Sequence, residues 1–145
     1  MPVLAGSLKD PEKEVRSSAA KTLGQIGPRA AQAAPALAAA LKDPENYGRA
    51  MAVDALVKIG PVAAAIAPAL VAAVVVPALA AALADTTTYV RQRAAEALRQ
   101  LGPIGSVAVA ALPALEASLD DPDENVRRIS SLALALISPG PRDVN

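Results

Sequence analysis

The residues that recur most regularly in this chain are an aspartate and an arginine six positions apart. They occur four times, as Asp10 and Arg16, Asp43 and Arg49, Asp85 and Arg91, and Asp121 and Arg127. Opposite charges of this kind are usually paired when they are buried. The sequence has no His, the commonest general base and metal ligand, and no Cys, the usual thiolate nucleophile. We therefore predict no enzyme activity, no cofactor and no metal site.

A repeated helical unit surrounds each of these pairs. Each arginine is followed seven residues later by a leucine, at Leu23, Leu56, Leu98 and Leu134. Three units then close with Gly-Pro, at residues 27–28, 60–61 and 102–103. In the first unit, Asp10 is predicted to cap a helix whose apolar side carries Val15, Leu23 and Ile26. A period of 33 to 42 residues predicts a stacked helical array.

The chain is predicted to be a single domain of four units, at residues 1–27, 28–60, 61–102 and 103–145. Each Gly-Pro should end one helix and start its partner, which should be kinked or broken near Pro35, Pro68 and Pro113. A second Pro-Ala-Leu phrase adds nine residues near 68–76, where we expect a bend or bulge. Residues 74–76, three valines, would then form an apolar contact patch or fill the space between units two and three.

The segment from Leu8 to Gly27 resembles the HEAT repeats, especially the short bacterial form found in phycobilisome lyase subunits. The resemblance implies an all-α fold, a right-handed α-solenoid of stacked antiparallel helical hairpins with about four repeats and incomplete ends. It also implies that the aspartates and arginines form a ladder of hydrogen bonds and ion pairs between adjacent units. The helices that begin at these aspartates would line the concave side. We interpret all eight residues as structural.

The exposed side of the repeated helix, here called the solvent stripe, differs from unit to unit. Its first position reads Glu14, Tyr47, Tyr89 and Asn125, and the two tyrosines are the only aromatic residues in the chain. Later positions supply Met51, Arg93 and Glu96. Tyr, Met and Arg are enriched at protein interfaces. These five residues of units two and three are the candidates for partner binding, and the alternative is that each tyrosine ring packs along a neighbouring helix.

The last repeated helix is apolar nearly all round. Its solvent stripe carries Ile129, Leu132 and Leu136. A helix of this kind must be covered, so these residues are candidates for self-association through the terminal helices. The alternative is that the chain is a segment of a longer array.

The distribution of charge along the chain bears on which partners and which cellular location we expect. Fourteen basic and fourteen acidic residues give a net charge of zero, so we expect no nucleic acid partner. Residues 59–84 carry no charge, but Gly60, Pro61, Pro68 and Pro77 interrupt them, so we do not expect a membrane span. The N-terminal residues lack a basic leader, and a cytoplasmic location is the default expectation.

The leading functional hypothesis is a noncatalytic scaffold that holds a protein or peptide on its concave helices. Two alternatives stay open. Resemblance to phycobilisome lyase subunits implies a subunit of a bilin lyase or isomerase, and the apolar ends favour a self-assembling structural repeat.

Overall fold

The computed structural model describes residues 2–104 and 106–137, and the regular elements within them are helical. Four helices follow the repeated aspartates: α2 (Lys13–Ile26), α4 (Asn46–Ile66), α7 (Thr88–Leu101) and α9 (Glu124–Ile137). The intervening helices are shorter: α1 (Pro2–Ser7), α3 (Ala34–Ala40), α5 (Pro68–Leu70), α6 (Val76–Ala82) and α8 (Leu112–Ala117). Helix α2 packs on α4, α4 on α7, and α7 on α9, so the fold is an all-α stack. Parts of the predicted last unit, 105 and 138–145, lie outside the described residues.

The core runs along the stack as a column of repeated leucines and alanines. Leu23, Leu56 and Leu98 are fully buried, whereas Leu134 in the last helix is half-buried. Small residues let the helices approach closely. A Cβ added at Gly24 of α2 would lie 3.2 Å from the Cα of Ala55 in α4. Burial between neighbouring units therefore stabilises the stack in place of one central core.

The repeated aspartates act just before the helices rather than as helix caps. The Asp10 carboxylate accepts a hydrogen bond from the Glu12 N–H at 2.9 Å, and α2 begins one residue later, at Lys13. Glu12 itself has extended backbone and makes no side-chain capping bond. The capping predicted for Asp10 is therefore wrong: its carboxylate stabilises the entry turn, an Asx-type turn two residues long.

The three Gly-Pro pairs have different structures. Gly27 has a φ of +70°, which ends α2 in a conformation that favours glycine. Helix α7 ends at Leu101, before Gly102, as predicted. Helix α4, in contrast, continues through Pro61 to Ile66, so the predicted end of the second unit at residue 60 is wrong for the helix. Pro61 removes one helical hydrogen bond, and burial of Ala63 and Ala64 in the following turn offsets that loss.

The nine extra residues do not protrude. They form the short helix α5, a π-helical turn at Val71–Val75 and the start of α6. Val75 and Val76 are fully buried, while Val74 is partly exposed. Of the two alternatives for residues 74–76, the burial of Val75 and Val76 agrees with the filling of space, and Val74 alone is exposed enough for a contact patch. Burial of the Val75 and Val76 side chains favours this arrangement over a bulge in solvent.

The partner helices are interrupted close to their prolines, as expected. A 3₁₀ segment at Gly27–Ala33 precedes α3, and another at Val109–Ala111 precedes α8. Pro35 and Pro113 then lie in the first turns of α3 and α8. Proline is tolerated there because the first turn has no helical hydrogen bond to lose.

Candidate functional site

The repeated charges form three contacts between neighbouring units, each here called a rung. Arg16 donates from Nε to Oδ2 of Asp43 at 2.7 Å and from Nη2 to Oδ1 at 3.2 Å. The Arg49 to Asp85 rung has the same two distances. In the third rung, Arg91 lies 2.8 and 3.3 Å from the same two oxygens of Asp121. Each is a bidentate pair, and the arginine of one unit binds the aspartate of the next.

Each ladder arginine is also tied to its own unit. The Nη1 group of Arg16 donates to the backbone oxygens of Asp10 at 2.9 Å and Pro11 at 3.0 Å. Arg127 makes the equivalent bonds to Asp121 at 2.7 Å and Pro122 at 3.0 Å. Its Nε has no acceptor among the residues that the structure describes. Arg127 therefore makes the backbone contacts of a ladder arginine but forms no rung with an aspartate among the described residues.

Burial and pairing act in opposite directions on the rung carboxylates. Burial alone raises the pKa of Asp43, but hydrogen bonds from the Arg16 side chain and the Glu45 N–H outweigh it and lower the pKa. The Asp43 hydrogen bond in turn raises the pKa of Arg16. Both groups therefore stay charged at neutral pH, and neither is poised to transfer a proton.

The two tyrosines lie in equivalent positions on neighbouring helices. Tyr47, at the start of α4, is 56% exposed, and Tyr89, at the start of α7, is 45% exposed. Met51, one turn after Tyr47, is half-buried and packs against the core. Tyr47 also borders a shallow groove of about 290 Å³ between α2 and α4, whose rim includes Glu14 and Ser18. An aromatic ring next to an open groove offers a partner both apolar area and polar contacts.

Tyr89 is held in place by an aspartate that the sequence did not single out. Its hydroxyl donates to Asp54 of α4 at 2.8 Å, and Arg93 donates from Nε to the same carboxylate at 2.6 Å. Burial, followed by the contact with Asp54, raises the pKa of Tyr89. Asp54 lies five residues after Arg49, so the sequence predicts its position on the solvent stripe. The sequence does not predict its two hydrogen-bond partners, because they belong to another unit.

Glu96 is engaged by its own helix. Arg99 donates from Nε to Oε2 of Glu96 at 2.8 Å, and the Gln100 amide is 3.4 Å from the other carboxylate oxygen. The Arg99 hydrogen bond lowers the pKa of Glu96 below its ordinary value. The structure thus brings Tyr89 and Arg93 together through Asp54, while Glu96 pairs separately.

The apolar residues of α9 lie on the same stripe. Leu132 stands five residues after Arg127, as Asp54 does after Arg49, and is 47% exposed. Leu136 is 43% exposed, whereas Ile129 is half-buried against the core. The stripe therefore changes along the stack, from polar at α2, through aromatic and paired charges at α4 and α7, to aliphatic at α9.

The described residues contain neither a candidate metal site nor a candidate membrane span. In 2–104 and 106–137, the acidic side chains form no group of three or more that could hold a metal ion. Over the same residues, no helix combines the length and apolar character needed to cross a membrane.

Sequence comparison identifies the family of this repeat. The profile of the HEAT repeats family matches residues 1–74 and again 73–136. The chain belongs to the HEAT repeat family. The narrower likeness to phycobilisome lyase subunits is not part of that match, and no curated protein matches the chain.

Several solved structures similar to this HEAT repeat chain are engineered or designed proteins. An engineered protein shares 25% identity with a TM-score of 0.81, covering 96% of this chain and 62% of its own. A designed armadillo repeat protein in complex with the peptide (KR)4 shares 20% identity with a TM-score of 0.75. The match covers 92% of this chain and 62% of the designed chain. Computationally designed armadillo repeat proteins for modular peptide recognition share 24% identity with a TM-score of 0.76. The match covers 97% of this chain and 66% of the designed chain. The chain thus spans less than two thirds of the first two structures, and the fold is a repeat solenoid.

Proposed function

We propose that this HEAT repeat chain is a noncatalytic scaffold that binds a protein or an extended peptide along its solvent stripe. The observation that carries the proposal is the exposure of Tyr47 and Tyr89, the only aromatic residues, at equivalent positions on adjacent helices. Buried charges are paired in the ladder, so the regular part of the repeat has a structural task. The irregular exposed part is left for recognition.

The centre of the proposed site is partly preorganised. Asp54 receives hydrogen bonds from Tyr89 and Arg93, and these contacts fix two side chains before a partner arrives. A fixed side chain loses less conformational entropy on binding than a free one. Tyr47 lies on the neighbouring helix and adds a second ring beside an open groove. Designed armadillo repeat proteins of the same fold include one in complex with the peptide (KR)4, which supports a peptide as the probe.

The test is selection from a displayed library of random peptides, followed by measurement of Kd for the enriched sequences. Wild type is compared with the double variant Tyr47→Ala/Tyr89→Ala. Loss of both rings should weaken binding by at least about tenfold, because aromatic anchors dominate such interfaces. The matched control is Arg29→Ala/Lys42→Ala, which changes two exposed side chains away from the stripe. Failure to enrich any peptide, or equal weakening by both double variants, would contradict the proposal.

A second candidate function, assembly of copies head to tail, is favoured by Arg127. This arginine has the backbone contacts of the internal rungs, and Asp10 accepts from Glu12 N–H without an arginine partner among the described residues. Arg127 of one copy would donate to Asp10 of the next, forming a rung between chains. Such heterologous contacts generate open assemblies.

Light scattering coupled to size exclusion tests this candidate across a range of protein concentrations. Wild type should show a mass that rises with concentration, and Asp10→Arg or Arg127→Asp should lower it. Mixing the two variants should restore assembly, since the reversed charges again match. A constant monomer mass for wild type would rule the candidate out and leave the peptide-binding proposal untouched.

A further inference from the structure

An apolar pocket lies between α3 and the C-terminal end of α4, where the repeat is irregular. One wall comes from the 3₁₀ segment Gly27–Ala33 and the start of α3, and the second from the last turn of α4. Helix α5 and the π-helical turn Val71–Val75 form the third wall. The pocket has a volume of about 220 Å³ and is open to solvent on one side.

Two departures from the repeat build this pocket. Helix α4 runs past Pro61, which brings Ala63 and Ile66 to the site, and the nine extra residues supply Leu70 and Val71. A regular unit with a helix end at Gly-Pro would place none of these side chains there. The π-helical turn is the second mark of specialisation, because such turns occur mostly as single features inside helices, frequently at functional sites.

The chemistry of the pocket differs from that of the clefts between other short helices. The cleft between α1 and α3 includes Arg16 and Asp43, and the cleft between α6 and α8 includes Asp121. In the described part of the chain, this pocket is bordered by no charged side chain, and Gln32 is its one polar side chain. A charged ligand would lose its hydration there without gaining a partner, which excludes ions.

The outer edge of the pocket is also apolar. Ile66 is 72% exposed and Leu70 is partly exposed, and both border the opening. A ligand in the pocket would remove part of this apolar surface from water, and that burial supplies the binding free energy.

We propose that this pocket binds a small uncharged molecule with one aromatic ring or a branched alkyl group and at most one hydrogen-bonding group. The size argument is direct, because an apolar cavity of about 150 Å³ in another protein accepts benzene. The single hydrogen-bonding group would be met by the Gln32 side-chain amide. The pocket is separate from the solvent stripe, so this site is independent of the proposed scaffold function.

Benzene and phenol are the probes, titrated into protein with ¹³C-labelled methyl groups and followed by NMR. Both should cause saturable shifts of the Ile66, Leu70 and Val71 methyl signals. Phenol should bind about twofold to tenfold more tightly than benzene, the gain expected for one hydrogen bond. In Gln32→Leu that preference should disappear while benzene affinity is kept.

Filling the pocket provides the decisive variant. Ala63→Leu places a larger side chain in the cavity and should abolish the saturable shifts, and Ala31→Leu serves if the first variant does not fold. Ala81→Leu is the control, because Ala81 is exposed on α6 and does not border the pocket. Absence of saturation in wild type would overturn the proposal. So would unchanged benzene binding in the folded, filled variant, or equal shifts at Leu41 and Leu83 outside the pocket.

Discussion

The two sides of the repeated helices differ in how much they vary from unit to unit. On the side that faces neighbouring units, three rungs repeat with donor-acceptor distances that agree within 0.1 Å. On the solvent stripe, the first position alone changes from Glu14 to Tyr47, Tyr89 and Asn125. The repeated side must satisfy the same packing and pairing at every junction. The stripe has no such constraint, so its composition can specify a partner.

Under the proposed function, this contrast separates stability from recognition within one helix. In α4, the Arg49 side chain is 14% exposed in its rung, while Tyr47, two residues earlier, is 56% exposed. Substitutions on the inward side should therefore act on the free energy of unfolding. Substitutions on the stripe should act on affinity for a partner and leave that free energy nearly unchanged.

The largest effect is expected from breaking a rung. Asp121→Ala leaves the partly buried Arg91 guanidinium without its carboxylate and removes the acceptor for the Asp123 N–H. We expect a loss of about 3 kcal/mol in the free energy of unfolding, measured by urea denaturation. Asp120→Ala is the matched control, because Asp120 is exposed and should stay within about 0.5 kcal/mol of wild type. Similar losses in the two variants would contradict a structural ladder.

Acid should weaken the same contacts by protonation. The folded-state pKa of Asp43 lies below its ordinary value, so its contribution to stability is present above the unfolded-state pKa, about 4. That contribution is lost as the pH falls through the folded-state pKa. Unfolding measured by circular dichroism should therefore show decreasing stability below about pH 4. Asp43→Asn should make this decrease shallower, and an unchanged pH profile in that variant would count against the assignment.

A smaller effect on the free energy of unfolding is expected at a buried position where one unit differs from the other three. Ser130 is fully buried and its hydroxyl has no hydrogen-bond partner among the described atoms. The equivalent residues are alanines, at Ala19, Ala52 and Ala94. Ser130→Ala should stabilise the protein by about 1 kcal/mol in thermal or urea unfolding. Ser131→Ala, at an exposed neighbouring position, should change stability by only a few tenths of that amount, about 0.3 kcal/mol. Destabilisation by Ser130→Ala would show that the hydroxyl has a partner in solution.

The smallest effect on stability is expected on the stripe itself. Tyr47→Ala removes an exposed ring and should change the free energy of unfolding by less than about 0.5 kcal/mol. Tyr89→Phe keeps the ring but removes the exposed hydrogen bond to Asp54, so it should cost slightly more, about 0.5 kcal/mol. If Tyr47→Ala destabilises as strongly as Asp121→Ala, the division between the two sides fails.

Much of the fold could be predicted from the sequence, because equivalent residues recur at regular spacing in each unit. The Asp-Arg spacing indicated which helices are equivalent. The apolar periodicity indicated their buried side, correctly for Leu23 but not for Val15, which is exposed. The Gly-Pro signal was less dependable. Gly27 ends its helix with a positive φ, but Gly60 lies inside one, because Ala63 and Ala64 of the next turn are buried by packing. Tertiary packing overrode a local signal there.

The site was less predictable than the fold. Tyr47 and Tyr89 were predicted to be exposed from helical periodicity alone, since that depends only on spacing within one helix. The contact of Asp54 with Tyr89 and Arg93 joins residues 35 and 39 positions apart, and spacing within one helix carries no information about it. The apolar pocket was missed for the same reason, because it depends on how α4 and the π-helical turn meet.

The central claim is that the stripe of α4 and α7 is the recognition surface, and amide NMR mapping of a selected peptide tests it most directly. With an enriched peptide added, the account predicts the largest shift changes at Tyr47, Met51, Asp54, Tyr89 and Arg93, with α3, α6 and α8 unaffected. Changes concentrated in α3, α6 and α8 would place recognition on the other layer and contradict the account.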